Sequence, residues 1–176
     1  MGEAMTGRDA AVLYAKVGSP LGELLLVGEE RADAPGGTAL ASLSTPGQKG
    51  GATVREGWRN APGAFAEIAG QLAAYFAGQR TTFDIAYAEP PRGTAFQRRV
   101  WAALEDIPYG TTTSYGRLAE RAGIARGAVR ALGAAIGANP LLIVRPCHRV
   151  IGADGTLTGY AGGLERKRRL LELEGV

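Results

Sequence analysis

Cys147 and His148 stand side by side, and the chain has no second copy of either residue. A thiol and an imidazole together are a nucleophile and a base. Taken singly, neither says much: a free cysteine is often a small buried hydrophobe, and a lone histidine is usually a satisfied polar group or a surface residue. Their setting changes the weighting. Leu141, Leu142, Ile143 and Val144 form a short apolar run, which predicts a buried strand or extended core segment. Pro146 then disfavours helix at Arg145 and fixes the chain direction. The thiol is therefore expected at a rigid bend, a good place to present a reactive atom.

A thiol with a pKa of about 8.5 is only a few per cent ionised at neutral pH and needs help. Adjacent side chains of an extended chain point to opposite faces. Help from His148 would then pass through a water, with a carboxylate holding the imidazole in the right tautomer. Such a relay predicts a depressed thiol pKa. A protease-like pair takes its histidine from far away in the sequence, and no second histidine exists here.

The elements that must position this pair can be read in order. Residues 1–10 are polar, with frayed ends expected, and they lack the basic start and apolar stretch of a signal peptide. A strand through Val12 and Tyr14, a turn at Ser19-Pro20-Leu21-Gly22 and a strand over Leu24 to Val27 make a hairpin. Residues 31–60 read largely as loop, with a third strand at 39–43. Phe65, Ile68, Ala69, Leu72 and Phe76 recur at helical spacing, predicting a helix over 63–77 that Gly78 ends. Thr82 to Tyr87 reads as an edge strand. The prolines of 89–93 mark a linker, which divides the chain into residues 1–90 and 91–176.

Thr94 with Gln97 forms a capping box for a helix whose inward side is Phe96, Val100, Ala103 and Leu104. Ser114 caps a short helix ended by Gly123. A second short helix follows, with Ala128, Val129, Leu132, Ala135 and Ile136 inward. Two short helices joined by a glycine turn are a helix-turn-helix pattern, although plain helical hairpins are commoner. Residues 159–163 form a glycine-rich loop. The last segment is an amphipathic helix with Leu164, Leu170, Leu171 and Leu173 available for packing. Its cations Arg166, Lys167, Arg168 and Arg169 are assigned to a solvated face.

Hydrophobic content of 45% suffices for a real core. No run reaches the 18 apolar residues of a membrane span. A lone cysteine makes no internal disulfide and suits a reducing cytoplasm. One Cys and one His give no usual zinc ligand set, and no metal or other cofactor is expected. The net charge of +3 hides an asymmetry. Residues 1–91 carry 7 Lys+Arg and 10 Asp+Glu, whereas residues 92–176 carry 13 Lys+Arg and 7 Asp+Glu. Twelve of those thirteen cations are arginine, the side chain suited to bidentate phosphate contact. A basic half that also holds the Cys–His pair points to nucleic acid.

The run Pro146-Cys147-His148-Arg149-Val150, followed by the stretch from Gly159 to Gly175, resembles the O6-alkylguanine-DNA alkyltransferases. The resemblance is strong over residues 62–176 and weaker before them. It implies an α+β chain: an N-terminal ribonuclease-H-like domain with a small antiparallel sheet and helices, then a mostly α, winged-helix-like domain with a helix-turn-helix. It also implies direct-reversal DNA repair, a single-turnover transfer of the alkyl group from O6 of guanine to Cys147, which is never regenerated.

The same resemblance assigns His148 as base through a water, Glu174 as the carboxylate orienting it, and Asn139 as the brace of the turn before the cysteine. Arg130, with Ala131 and Gly133 in an RALG motif that has Leu132 where the family has valine, would fill the space left by the flipped base. Tyr115 would push the 3′ phosphate and bond the base. The carbonyls of Cys147 and Val150, the N–H of Ala161 and the ring of Tyr160 would line the pocket, and Gln97 would touch phosphate. The partner implied is double-stranded DNA approached from the minor groove, bound by a monomer, with cooperativity along DNA left open. Arg145 departs from the family's aliphatic residue. It needs a carboxylate if it faces the core and adds a phosphate contact if it does not. Two other readings compete: a non-catalytic binder of alkylated DNA, which would carry another residue in place of Cys147, and a plain helix-turn-helix regulator, which would need no cysteine.

Overall fold

The structure, a computed structural model, describes residues 11–176; the expectation for residues 1–10 lies outside the described residues. Strands β1 (Leu13–Val17), β2 (Leu24–Glu30) and β3 (Thr38–Ser44) pair antiparallel in sequence. The predicted turn joins the first two. Ser19 Oγ accepts from Leu21 N–H and donates to the carbonyl of Gly22, whose φ of +102° a glycine adopts without strain. The sheet is mixed rather than purely antiparallel, because β4 (Arg59–Asn60) adds to the free edge of β1 in parallel. Two polar, exposed residues carry no alternation pattern, so this strand had no sequence signal.

Helix α1 (Ala66–Phe76), preceded by a 3-10 turn at Pro62–Phe65, packs on this sheet. Its buried side is Ile68, Gln71, Leu72 and Tyr75, at i, i+3, i+4 and i+7. The expected edge strand at Thr82 to Tyr87 does not form. Gln71 instead satisfies the backbone of Asp84 in both directions, at 2.8 and 2.9 Å, and only Tyr87 meets the sheet, through one bridge to Leu40. A side chain has taken the hydrogen bonds that a ladder would have made.

The second half opens with α2 (Ala95–Glu105), whose capping box joins Thr94 and Gln97 as expected. Trp101, which the sequence reading passed over, is buried and donates to Ala135 O at 2.8 Å. Then come β5 (Thr113–Ser114), α3 (Tyr115–Ala122) and α4 (Val129–Gly137). Ser114 caps α3, and Gly123 ends it at φ +67°. Leu118, Leu132, Ala135 and Ile136 fill the space between these helices and α2, but Val129 is 48% exposed. As the first residue of α4 it lies beyond the packed face, and Leu164 is exposed for the same reason at the start of α5 (Leu164–Leu173). Strand β6 (Val150–Ile151) pairs with β5 in parallel, tying the chain after Cys147 to the start of α3.

The two halves share one continuous core, from Leu13 and Leu26 through Tyr75 to Leu104, Cys147 and Leu170. No helix among the described residues is long and apolar enough to cross a membrane.

One packing constraint is sharp. A β-bulge separates Val27 from Gly28, and a Cβ on Gly28 would lie 2.3 Å from the carbonyl oxygen of Ala39. Gly28→Ala must therefore displace β3, at a cost of about 1–3 kcal/mol. Thermal unfolding of the variant is expected several degrees below the parent, on the scale of about 2–4 °C per kcal/mol for a chain of this size.

Candidate active site around Cys147

The turn that carries the cysteine is laced by one amide. Asn139 is buried; its Nδ2 donates to the carbonyls of Leu141 and Arg145 at 3.3 and 3.2 Å, and its Oδ1 accepts from Leu141 N–H at 3.1 Å. Both functions of one side chain thus tie together the turn from Asn139 to Arg145. Strand β3 anchors the same turn, since Leu43 donates to Pro140 O and accepts from Leu142 N–H. The expected buried strand at Leu141 to Val144 is therefore a buried turn, with Ile143 at φ +71°. Positive φ is strained for a β-branched residue and persists only where the surroundings impose it. The apolar run correctly indicated burial, but periodicity cannot see an asparagine closing a loop.

Arg145 resolves in favour of the core. Its Nε reaches Glu105 Oε1 at 3.3 Å, one terminal nitrogen donates to Asn139 Oδ1 at 3.3 Å, and its guanidinium lies 5.1 Å from the ring centres of both Tyr87 and Trp101. The carboxylate partner that a core position demands is present. Pro146 follows at φ −80°, ψ 60°, the centre of an inverse γ-turn in which Cys147 N–H donates to Arg145 O at 2.8 Å.

Cys147 opens a one-turn 3-10 helix and is 3% exposed, its side chain almost wholly shut off from solvent. Burial pushes its thiol up to about 11, against the opposing pull of Asn139, Lys167 and Arg145. The depressed thiol expected from sequence is thus not what the DNA-free protein holds: removal from water outweighs the nearby cations.

His148 is fully buried, with Nε2 2.7 Å from Glu174 Oε2, while its Nδ1 has no partner among the described residues. Glu174 is the hub. Arg149 donates to it twice, from Nε at 2.7 Å and from a terminal nitrogen at 3.1 Å, and the hydroxyl of Tyr75 donates as well. Burial alone would raise the Glu174 carboxyl, but His148 and Arg149 outweigh it and hold the group down at about 2. Burial lowers the pKa of His148, opposed by Glu174. The resulting imidazole is neutral, and it can keep its proton on the nitrogen that faces the carboxylate.

Lys167 is not on a solvated face. It is 1% exposed, and its ammonium donates to the carbonyls of Val150, Thr158 and Gly159 at 2.6, 2.8 and 3.4 Å. It thereby clamps the glycine-rich loop to the strand that leaves Cys147. Arg166 is also half-buried, bonding Leu21 O and Gly162 O. Within the loop, the buried hydroxyl of Tyr160 has no partner among the described residues, and Gly162 leaves room for the Tyr160 ring, which a Cβ there would meet at 2.8 Å. Tyr115 shares a 2.7 Å hydrogen bond with Thr158 at the loop's near end.

The structure thus brings together Asn139, Cys147, His148 and Glu174; Val150 lies with Cys147 in the core, and Tyr160, Ala161 and Tyr115 pack against that core. It keeps others apart. Arg130 and Ala131 are exposed on α4, with Gly133 half-buried behind them, and none of the three bonds to the cysteine cluster through a side chain. Gln97 uses its side-chain oxygen on the helix cap. Sequence reasoning missed Tyr75, Arg149 and Lys167. A signal existed for two of them: Lys167, Leu170, Leu171 and Glu174 fall at i, i+3, i+4 and i+7, and Tyr75 falls in the same phase as Ile68, Gln71 and Leu72. Charge and polarity masked the period. Among the described residues, no cluster of His, Cys, Asp and Glu is arranged to hold a metal ion.

This arrangement has close relatives. Residues 12–87 match the model of the 6-O-methylguanine DNA methyltransferase ribonuclease-like domain, and residues 95–176 match that of its DNA-binding domain. A methylated-DNA–protein-cysteine methyltransferase of Mycolicibacterium paratuberculosis is 52% identical over 161 residues, covering 92% of this chain and 91% of the relative. One from Methanosarcina acetivorans is 45% identical, covering 92% and 97%. The crystal structure of Mycobacterium tuberculosis OGT in complex with DNA superposes with a TM-score of 0.78 at 51% identity, covering 92% of each chain. With both halves matched in order and a lone cysteine next to a buried His–Glu pair, the chain belongs to the 6-O-methylguanine DNA methyltransferase family.

Proposed function

We propose that this protein repairs alkylated DNA directly, by moving the alkyl group from O6 of guanine to Sγ of Cys147. The observation that carries the proposal is the setting of His148: Nε2 lies 2.7 Å from a carboxylate that Arg149 and Tyr75 also bond, and Nδ1, one residue from the thiol, has no partner among the described residues. In this reading His148 takes the thiol proton at Nδ1 through a bridging water. As the S–C bond forms, the C–O6 bond breaks and its electron pair stays on the purine. The released guanine regains a proton, so the proton lost by the thiol is balanced. No cofactor enters, and the thioether is the end state, so each molecule acts once.

The partner in this reading is double-stranded DNA, approached by α3 and α4 from the minor groove, with the protein acting as a cytoplasmic monomer. Guanine O6 is out of reach while the base is stacked, so the nucleotide must swing out at a cost of a few kcal/mol. In this reading Arg130, exposed on α4, fills the gap, and Tyr115 presses on the adjoining phosphate. Val150, Tyr160 and Ala161 would receive the base once Cys147, 3% exposed without DNA, is uncovered. The linker at 89–93 divides a supporting domain, residues 1–90, from the reacting one, residues 91–176. The raised thiol gives this scheme a resting state: without DNA, the nucleophile is protonated and quiet.

Intact mass after incubation with O6-methylguanine DNA tests the proposal. A gain of one methylene unit is expected, and Cys147→Ala abolishes it; tight binding with no mass change would favour a non-catalytic binder of alkylated DNA. Iodoacetamide labelling of the DNA-free protein is expected to be slow at neutral pH and to accelerate as pH rises toward about 11. For Arg130→Ala, transfer from duplex DNA should fall about tenfold or more, one order of magnitude per 1.4 kcal/mol of lost flipping assistance. Transfer from the free O6-alkylguanine base should stay unchanged.

A further inference from the structure

We infer that Tyr75, on the N-terminal helix α1, is a positioning residue for the transfer reaction: its hydroxyl sets the carboxylate of Glu174 and, through it, the proton-accepting imidazole of His148. The inference rests on the proposed His148 relay and deepens it, by giving the N-terminal half a direct part in the chemistry.

The geometry is specific. Tyr75 is 0% exposed, and its hydroxyl donates to Glu174 Oε2, the same oxygen that faces His148 Nε2. The other oxygen, Oε1, takes Arg149 Nε. The carboxylate is thereby held from two sides, by a cation from the second half and a phenol from the first. The phenol ring is itself fixed, lying 5.4 Å from Phe76, 5.3 Å from Phe83 and 6.2 Å from Tyr109. A tyrosine there for packing alone could be phenylalanine; a hydroxyl on a buried carboxylate has a chemical consequence. It draws charge from Oε2 and weakens that oxygen's pull on the imidazolium.

The titratable and charged groups beside Glu174 and His148 are Tyr75 from α1, Arg149, Lys167 from α5 and Tyr160 from the glycine-rich loop; Cys147 is the chain neighbour of His148, and Tyr109, from the chain after α2, packs on Tyr75 and Arg149. Among the described residues, Tyr75 is the one neutral donor to the carboxylate other than His148 itself. Losing it leaves Glu174 a stronger acceptor, so His148 holds a proton more tightly. A protonated His148 cannot accept from the thiol. The rate of transfer should therefore fail at a higher pH when the hydroxyl is removed.

The test is single-turnover transfer from O6-methylguanine DNA, measured across pH for the parent, Tyr75→Phe and Phe83→Leu. Phe83→Leu disturbs the same ring packing and leaves the hydroxyl in place. Tyr75→Phe is expected to move the acid limb upward by about half a pH unit or more, about a threefold loss of rate on that limb, with DNA affinity unchanged. Phe83→Leu is expected to keep the parental limb. Equal profiles for parent and Tyr75→Phe, or equal shifts in both variants, would overturn the inference while the parent's own transfer leaves the relay intact. Absence of transfer in the parent would instead overturn the function proposed above. A downfield, slowly exchanging hydroxyl proton assigned to Tyr75 in the parent's proton NMR spectrum is also expected; its absence overturns the contact even if Tyr75→Phe does not fold.

Discussion

One buried carboxylate organises this molecule. Glu174 lies near the end of the last helix, 5% exposed, and accepts from Tyr75, His148 and Arg149. A carboxylate taken out of water costs several kcal/mol unless its lone pairs are met by good donors. Here the donors come from the first half of the chain, from the cysteine segment, and from a guanidinium that also caps Ile107 O at 2.6 Å. Stability and chemistry therefore converge on one group. Removing it would strand a buried Arg149, a loss on the order of 3–5 kcal/mol, and would also free the imidazole to turn.

A second constraint runs parallel to the first. Asn139 closes the turn ahead of Cys147, strand β3 holds that turn by two backbone hydrogen bonds, and Arg145 braces Asn139 from beyond. Lys167 does the same on the far side of the cysteine, joining Val150 to the glycine-rich loop. The sulfur sits between two clamps, both built from buried polar side chains whose capacity is used. Such networks specify one arrangement because partial satisfaction is costly in a low-dielectric interior. The covered sulfur and the raised thiol follow from the same burial. In the proposed reaction the site would be assembled before its substrate arrives, with the nucleophile protected until then.

What the sequence made legible was what local rules encode. The capping box at Thr94, the Ser114 cap, the Gly123 stop and the hairpin turn at Ser19 to Gly22 each depend on a few neighbouring residues. The adjacency of Cys147 and His148 pointed to the site before any coordinates. What stayed hidden was decided by partners distant in sequence. Strand β4 exists because β1 offers a free edge; the segment after α1 fails to become a strand because Gln71 satisfies it first; residues 141–144 turn because Asn139 ties their ends. Lys167 and Tyr75 were hidden differently. Their spacing was that of a buried face, but a lysine and a tyrosine read as surface unless their long-range acceptors are known. The thiol pKa was misread for the same reason: the cations were visible in the sequence, and the depth of burial was not.

The central claim is that Glu174 fixes His148 as a neutral imidazole with its proton on Nε2 and a free lone pair on Nδ1. Because the chain has a single histidine, nitrogen-15 NMR of the untagged, DNA-free protein reads that imidazole without ambiguity. At pH 7 the account predicts one protonated ring nitrogen, Nε2, and one bare nitrogen, Nδ1. A doubly protonated ring, or a proton resident on Nδ1, would contradict it.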